Sequence, residues 1–540
     1  MEMIQKNKIP ICIASIQWFV TTVFQVDRLF FSYELDRKYL ITTKILYYIV
    51  LVVSWCFGAD VYRKLRSGNA FYQRAFFIFK IYLGLLMALL VVLWPGTWSY
   101  DDLWTLIAIS DYENWQPWQH TITGIYQDVL LQILPFPGGI ILLQNVIISI
   151  CVAFSVTKLE AIFQLGRLKN RLADVLMKVL PFLLPPVLMY QFSGYRMGLY
   201  VYLELVMLLM LMGMKEAAQE WSMAYLVLFC VLCSVVSVWR TESFFYVVLA
   251  CVMLLCSRGK VLSHKKKGVA ILILIIGFFA LNQVHNAELG NADYKIISLL
   301  NPCAELVRNA DPVTDAEELL TIGRVVDWER IRRETSIPGT GWGTEIIQGG
   351  YSDEEYGAFV RAVVTLSLKY PEVVVAERWH VFGKALGVTE RSKTNVEDSA
   401  VLFDGTRENL PADAVLEKGW IANKPVFRRI RKHAIYLLGI KKMDGSDSGI
   451  FQRLVWNAAI PLILLIFGWF EMLFRKKWFL FGIGAAVLIR VPIVFLTEPS
   501  GWIMYLLSFY LLGYVFLLYR LLYAFASKKT GNVTEEKTGC

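Results

Sequence analysis

The sequence predicts an all-α polytopic membrane protein, and three observations carry that prediction. Of 540 residues, 56% are hydrophobic and only 18% are charged, with a mean hydropathy of +0.50. The apolar residues are gathered in runs near the roughly 20 residues that cross a bilayer core as a helix. Basic residues collect in alternate connections between those runs. Together these features exclude a multidomain soluble enzyme and a secreted disulfide scaffold.

Twelve apolar runs are legible, centred on residues 9–26, 40–59, 75–94, 137–157, 176–192, 197–214, 222–239, 243–257, 269–285, 454–473, 478–496 and 502–523. The first lacks a small-residue cleavage site after it and reads as a retained helix. Pro181, Pro185 and Pro186 interrupt the fifth, which neighbouring helices can tolerate by satisfying the freed backbone groups. With the N-terminus inside, the cytoplasmic connections hold 23 Lys/Arg and the short outside loops five, the asymmetry expected of the positive-inside rule, so both termini are expected in the cytoplasm. The expected organisation is a transmembrane domain over 1–285 with about nine helices and an acidic outside loop at 95–136. An extracytoplasmic, mainly helical domain over 286–450 follows, inserted before the last three helices at 451–525, and 526–540 forms a cytoplasmic tail.

The net charge of +9 divides unevenly, because residues 286–450 hold 25 Asp/Glu against 21 Lys/Arg and the remainder carries +13. That basic excess reports topology, and no aromatic-basic pattern points to nucleic acid. Nine Cys lie mostly in apolar runs and imply no disulfide framework; Cys230 and Cys233 read as lipid-facing packing. At 427–442, `FRRIRKHAIYLLGIKK` has basic clusters around an apolar centre, either an interfacial connector or a helix that holds an anionic lipid headgroup. The `GTGWG` at 339–343 lacks the Lys and helix of a phosphate loop.

Candidate chemistry concentrates in the outside loop, where Asp101, Asp102, Asp111, Glu113 and Asp128 occur without a Lys or Arg from 95 to 136. Trp94, Trp98, Trp104, Trp115 and Trp118 are interleaved, and aromatic faces beside carboxylates suit sugar rings as well as a membrane interface. Asp101 and Asp102 repel one another, which raises one toward the range of a general base; alternatively `SYDDLWTL` starts a helix capped by Ser99 or Asp101. The same pair would suit a hard divalent cation. His120 orients a substrate phosphate or hydroxyl, or is a satisfied interfacial side chain. Five His without an H-x-x-x-H pattern give no zinc site.

Arg196, Arg240 and Glu242 lie at outside turns, where an Arg can meet a phosphate bidentately or pair locally with a carboxylate. Arg490 lies within the eleventh run and Glu204 within the sixth, a separation across the chain that a buried ion pair would close. Lys44 and Lys80, near run ends, read as snorkelling.

The early acidic motif `PGTWSYDD` and the segment `WQPWQHTITGIYQDVL`, with `SLLNPCAELV` and `FLTEPSGWIMYLLSFYLLGY` further on, resemble the GT-C superfamily of multi-pass membrane glycosyltransferases. Protein O-mannosyltransferases and the lipid A aminoarabinose transferase belong to it. The pattern is most similar to a group of Gram-positive bacterial membrane proteins of unassigned function. Where many bacterial relatives carry a His-Pro step, this chain has His120-Thr121. The resemblance implies a GT-C-like fold in the bacterial plasma membrane and transfer of a sugar from a polyprenyl-phosphate donor to an extracytoplasmic glycan or lipid acceptor. It implies Asp101 or Asp102 as the base, with an Arg at the membrane face on the lipid phosphate. A transporter or flippase of lipid-linked or small solutes, and a non-catalytic cell-envelope assembly protein, are the alternatives.

Overall fold

The computed structural model describes residues 7–30, 37–111, 119–216, 221–257, 261–289, 296–333, 346–390, 423–442 and 449–537. Among them the regular structure is helical, apart from isolated bridge residues such as the antiparallel pair Val326 and Ile347. The membrane part opens with α1 (Lys8–Val23), α2 (Arg37–Arg66) and α3 (Ala70–Leu93). The acidic loop contributes α4 (Tyr100–Asp111) and α5 (Ile122–Ile133). There follow α6 (Pro137–Ile162), α7 (Arg171–Val179), α8 (Pro185–Gln191), α9 (Met197–Glu216), α10 (Met223–Trp239), α11 (Phe245–Cys256) and α12 (His264–Leu289). The polar region supplies α13 (Ile297–Asn309), α14 (Ala316–Ile322), α15 (Trp328–Arg333), α16 (Asp353–Lys369), α17 (Pro371–Leu386) and α18 (Arg428–Leu438). The chain closes with α19 (Ile450–Val455), α20 (Ala459–Phe474), α21 (Trp478–Leu488), α22 (Arg490–Thr497) and α23 (Leu507–Lys537).

Helix starts follow local chemistry. Asn69, Asn170 and Ser222 accept from the first free backbone N–H groups of α3, α7 and α10. At Pro185 and Pro186 the missing donors end one helix and begin another, so the fifth apolar run becomes two helices bent by 77°. Eight helices among the described residues are long and apolar enough to cross a membrane, or nine if the bent pair is one span; α1, α10 and the 241–256 segment are apolar but shorter.

Polar contacts sort the helix ends into two layers. At the basic end, Arg63 donates to Asn7 at 3.1 Å, Lys266 to the Trp221 carbonyl at 2.9 Å, and Lys267 to the Ser257 carbonyl at 2.6 Å. At the other end, Trp239 Nε1 donates to Thr123 Oγ1 at 2.9 Å, and the Thr121 amide to His285 at 3.2 Å. Both the acidic loop and the polar region lie at this second end.

The polar region has two parts. Residues 296–331 and 346–366 bury their own core, including Leu300, Cys303, Ile322, Val326, Phe359 and Leu366. Phe382, Ala385, Leu386 and Ile435 instead join the large core of the helix bundle. Arginines dock this second part. Arg378 donates to the carbonyls of Leu496 and Glu498 at 3.3 and 2.8 Å, and Arg431 to those of Leu93 and Gly96 at 3.3 and 2.7 Å. Each guanidinium satisfies carbonyls left over where a helix ends. The basic helix at 427–442 is therefore anchored through a fully buried Arg431 rather than simply lying on a surface.

Three sequence expectations change. Lys44 does not snorkel: it pairs with buried Asp27 at 2.7 Å and donates to Gln132 at 2.7 Å. Cys230 and Cys233 face the bundle interior, not lipid, and are fully buried with their thiols directed to the carbonyls of Ala270 and Tyr246. Arg74 and Lys178, counted among the topology-setting basic residues, form a buried ring with two acids. Arg74 bonds Glu160 at 2.5 and 3.0 Å and Asp174 at 2.5 Å, and Lys178 bonds the same acids at 2.8 and 2.9 Å. Two cations against two anions leave the ring neutral, so removing one member strands a buried charge. Arg74→Met should therefore destabilise the protein by about 3–5 kcal/mol, read as an earlier thermal unfolding transition in detergent; an unchanged transition would mean the ring is dispensable.

Candidate functional site

The acidic loop enters the bundle through `PGTWS`, residues 95–99. Gly96 has φ +125°, a conformation that L side chains rarely adopt, and a Cβ there would lie 2.6 Å from the Phe192 carbonyl. Thr97 then bonds across to this turn, its amide to Phe192 O at 2.8 Å and its hydroxyl to Met189 O at 2.6 Å. Trp98 is fully buried and lies against Gly194, where a Cβ would come within 2.4 Å of the indole. The loop and the 189–196 turn therefore form one unit.

That unit separates the two adjacent acids. Ser99 precedes α4, and Asp102 at the third helical position reaches back to the Ser99 amide at 3.1 Å and hydroxyl at 2.8 Å. Ser193 Oγ donates to the same carboxyl. Asp102 is 1% exposed. Burial outweighs the three donors and pushes its carboxyl up to about 7. Asp102 thus caps a helix and ties it to the 193 turn, whereas Asp101, on the adjacent position, is only partly buried.

His120 is buried and stacks on His285 of α12, with ring centroids 4.3 Å apart. Its Nδ1 accepts from the Ile122 amide at 3.2 Å, which places the proton on Nε2. Burial, with His285 and Arg196 nearby, holds the ring down to about 3, so it is a neutral donor at physiological pH. Nε2 is buried without a hydrogen-bond partner among the described residues. Arg196 stands half-buried at the turn before α9, with its guanidinium 5.9 Å from the Tyr195 ring centroid.

Beneath this layer lies a chain of buried charge. Arg490 Nη1 bonds Glu204 and, at 2.9 Å, the Tyr246 hydroxyl, which itself donates to Glu204. Arg490 Nη2 approaches Glu242 to 3.9 Å, and Glu242 accepts from Arg240 Nε at 2.7 Å. The rings of Tyr200, Tyr246 and Phe509 surround the Arg490 guanidinium at 5.8, 5.5 and 5.3 Å. Arg240 also lies over Tyr505 at 5.3 Å, and its Nη1 is buried with no partner among the described residues.

The structure therefore joins Arg240, Glu242, Arg490 and Glu204 in one network, and places Asp101, Asp102, His120 and Arg196 at the same end of the bundle. Trp118 and Glu113 lie outside the described residues, as does the side chain of Asp111, the last residue of α4. No group of three or more His, Cys, Asp or Glu that could hold a metal ion occurs among the described residues. Sequence reasoning missed His285, Tyr246, Tyr505 and Glu498. His285 ends an apolar run and Glu498 precedes a proline, but neither position carries a periodic or spacing signal. The Ser99-x-x-Asp102 spacing did carry one, for capping.

No known family, curated protein or solved structure shows a significant match to the chain.

The Asp102 site makes a pH prediction. Its folded value of about 7 lies above the ordinary 3.8, so the folded state holds a proton that the unfolded chain releases. The stability this provides is complete below 3.8 and is lost as pH rises through about 7. From about pH 4 to 7 the wild-type melting temperature should fall more steeply than that of Asp102→Asn, by on the order of 1 kcal/mol of stability per pH unit. Parallel pH profiles would place this carboxyl in the ordinary range.

Proposed function

We propose that the chain is an integral membrane glycosyltransferase of the GT-C type, with twelve spans and both termini in the cytoplasm of a bacterial plasma membrane. Its active end is the one bearing the acidic loop. It moves a sugar from a polyprenyl-phosphate donor to a hydroxyl of an extracytoplasmic glycan or lipid. The observation that carries this reading is Arg240: a guanidinium buried at the end of an apolar helix, held by Glu242 through Nε, with Nη1 free of any partner among the described residues. Such a group suits a lipid phosphate at the membrane face, since an N–H left without an acceptor in low dielectric is costly and a phosphate oxygen relieves it.

The remaining parts take complementary roles in this reading. Asp101 accepts the proton of the acceptor hydroxyl. The acceptor oxygen forms its bond to the sugar anomeric carbon as the bond from that carbon to the phosphate oxygen breaks, with inversion. The lipid phosphate leaves with both electrons of the broken bond, held by Arg240 and Arg196. His120, a neutral donor, hydrogen-bonds a substrate oxygen through Nε2–H. Asp102 acts only by positioning, through its hold on Ser99 and Ser193.

A transport reading draws on Arg490 and Glu204, an ion pair within the spans in which Arg490 Nε and Glu204 Oε2 lack a partner among the described residues, but their charges neutralise one another directly. Transport would require vectorial movement of a lipid-linked sugar in proteoliposomes without Asp101-dependent transfer. The test of the transferase reading is label incorporation from polyprenyl-phosphate sugars into membrane glycans. Asp101→Asn should lower incorporation by about 100-fold or more, the scale of general-base catalysis. Asp102→Asn, if folded, should lower it far less; equal activity in wild type and Asp101→Asn would overturn the mechanism.

A further inference from the structure

Glu498 follows α22 in the closing `LTEPSG` segment and is 1% exposed. Both of its carboxyl oxygens are buried without a hydrogen-bond partner among the described residues. Its backbone is fixed from outside, since Arg378 donates to its own carbonyl at 2.8 Å and Asn301 donates to that of Pro499 at 2.6 Å. The following proline restrains the chain further, and Glu498 is extended with φ −66° and ψ 127°. The side chain is therefore aimed rather than loose. α22 packs on the 241–243 turn, and the charges of Arg378 and, less strongly, Arg240 reach the carboxyl. Ser500 Oγ is likewise buried and partnerless among the described residues.

This end of the bundle thus carries an open donor, Arg240 Nη1, and an open carboxyl. A buried polar group left unsatisfied is costly, and the open atoms of both groups meet nothing among the described residues. A bare phosphate would satisfy Arg240, but it repels an ionised Glu498 and, from a protonated one, accepts a hydrogen bond without returning one to the second oxygen, whereas a hydroxyl can both donate and accept. A hydroxyl satisfies the carboxyl directly, and a sugar attached to a phosphate supplies both chemistries on one ligand. We propose that Glu498 is a specificity residue that receives a sugar hydroxyl of the phosphate-linked donor held by Arg240, so that the site prefers a sugar-bearing lipid phosphate to the bare one. The proposal rests on the donor class named above.

The test measures binding to the full-length protein in nanodiscs. The probes are polyprenyl phosphate alone and polyprenyl phosphate carrying hexoses or N-acetylhexosamines. Wild type should bind at least one sugar-bearing lipid about tenfold more tightly than the bare phosphate. Glu498→Met should bring the two to within about twofold, and Glu498→Gln, which keeps a polar group, should retain part of the difference. Because an apolar side chain of similar volume removes an unsatisfied carboxyl, Glu498→Met should melt no lower than wild type.

Absence of discrimination in wild type, full discrimination in Glu498→Met, or a marked fall in its melting temperature would each overturn the assignment. Discrimination lost in Glu498→Met, without any Asp101-dependent transfer, would support the binding site and overturn the transferase reading. Asp101-dependent transfer with discrimination indifferent to Glu498 would overturn the site alone.

Discussion

The bond between Arg490 and Glu204 is the constraint on which the site end of the molecule depends. Both side chains are buried in the bundle, at 1% and 0% exposure, where an unpaired charge would cost several kcal/mol. Each must therefore find the other, and in doing so α22 is fixed against α9. Tyr246 joins from α11 and Glu242 from the turn just before it, so one charge pair draws together three stretches of chain that are remote in sequence. Aromatic rings fill the space around the guanidinium and keep water from weakening the contact. Arg240, at the end of this chain, inherits a fixed position: Glu242 is its partner and is itself held near Arg490.

The two ends of the bundle treat polar groups in opposite ways. At the basic end, Arg74, Lys178, Glu160 and Asp174 close into a ring in which each charge has at least two partners. The ring joins α3, α6 and α7 next to the bent pair of helices, where a prolyl break has removed backbone hydrogen bonds and side-chain contacts compensate. At the acid end, atoms of His120, Arg240 and Glu498 stay open among the described residues. Both ends bury ionisable groups; the ring at the basic end closes on itself, whereas these atoms of the acid end meet no partner among the described residues. Rigid supports beneath open polar groups are the arrangement a binding site needs, because the geometry is set before the ligand arrives.

The polar region is coupled to this end by the same physics at two points. Arg378 and Arg431 each insert a guanidinium into carbonyls at the C-terminal end of a membrane helix, one beside Glu498 and the other beside the `PGTWS` turn. Arginine suits both positions because its fork of donors meets two carbonyls at once and the negative end of the helix dipole favours its charge. The part of the region with its own core, residues 296–331 and 346–366, touches the closing segment through Asn301. Movement of that region would accordingly be felt at the backbone of Glu498.

Much of this architecture is legible in the residues themselves. Apolar runs of helical length, the prolines at 181, 185 and 186, and the distribution of Lys and Arg are local properties, and hydropathy acts on each segment wherever its neighbours lie. The hold of Asp102 on Ser99 is local too, since the two residues lie within one helical turn. These local properties set the all-helical class and the order of the apolar helices. Tertiary structure alone decided that Asp102 turns inward while Asp101 stays accessible. It also decided that Lys44 pairs with Asp27, and that Cys230 and Cys233 face protein rather than lipid. It selected the groups left open, because satisfaction of a buried polar atom depends on partners such as Glu204, 286 residues from Arg490, and no local pattern encodes a partner at that distance.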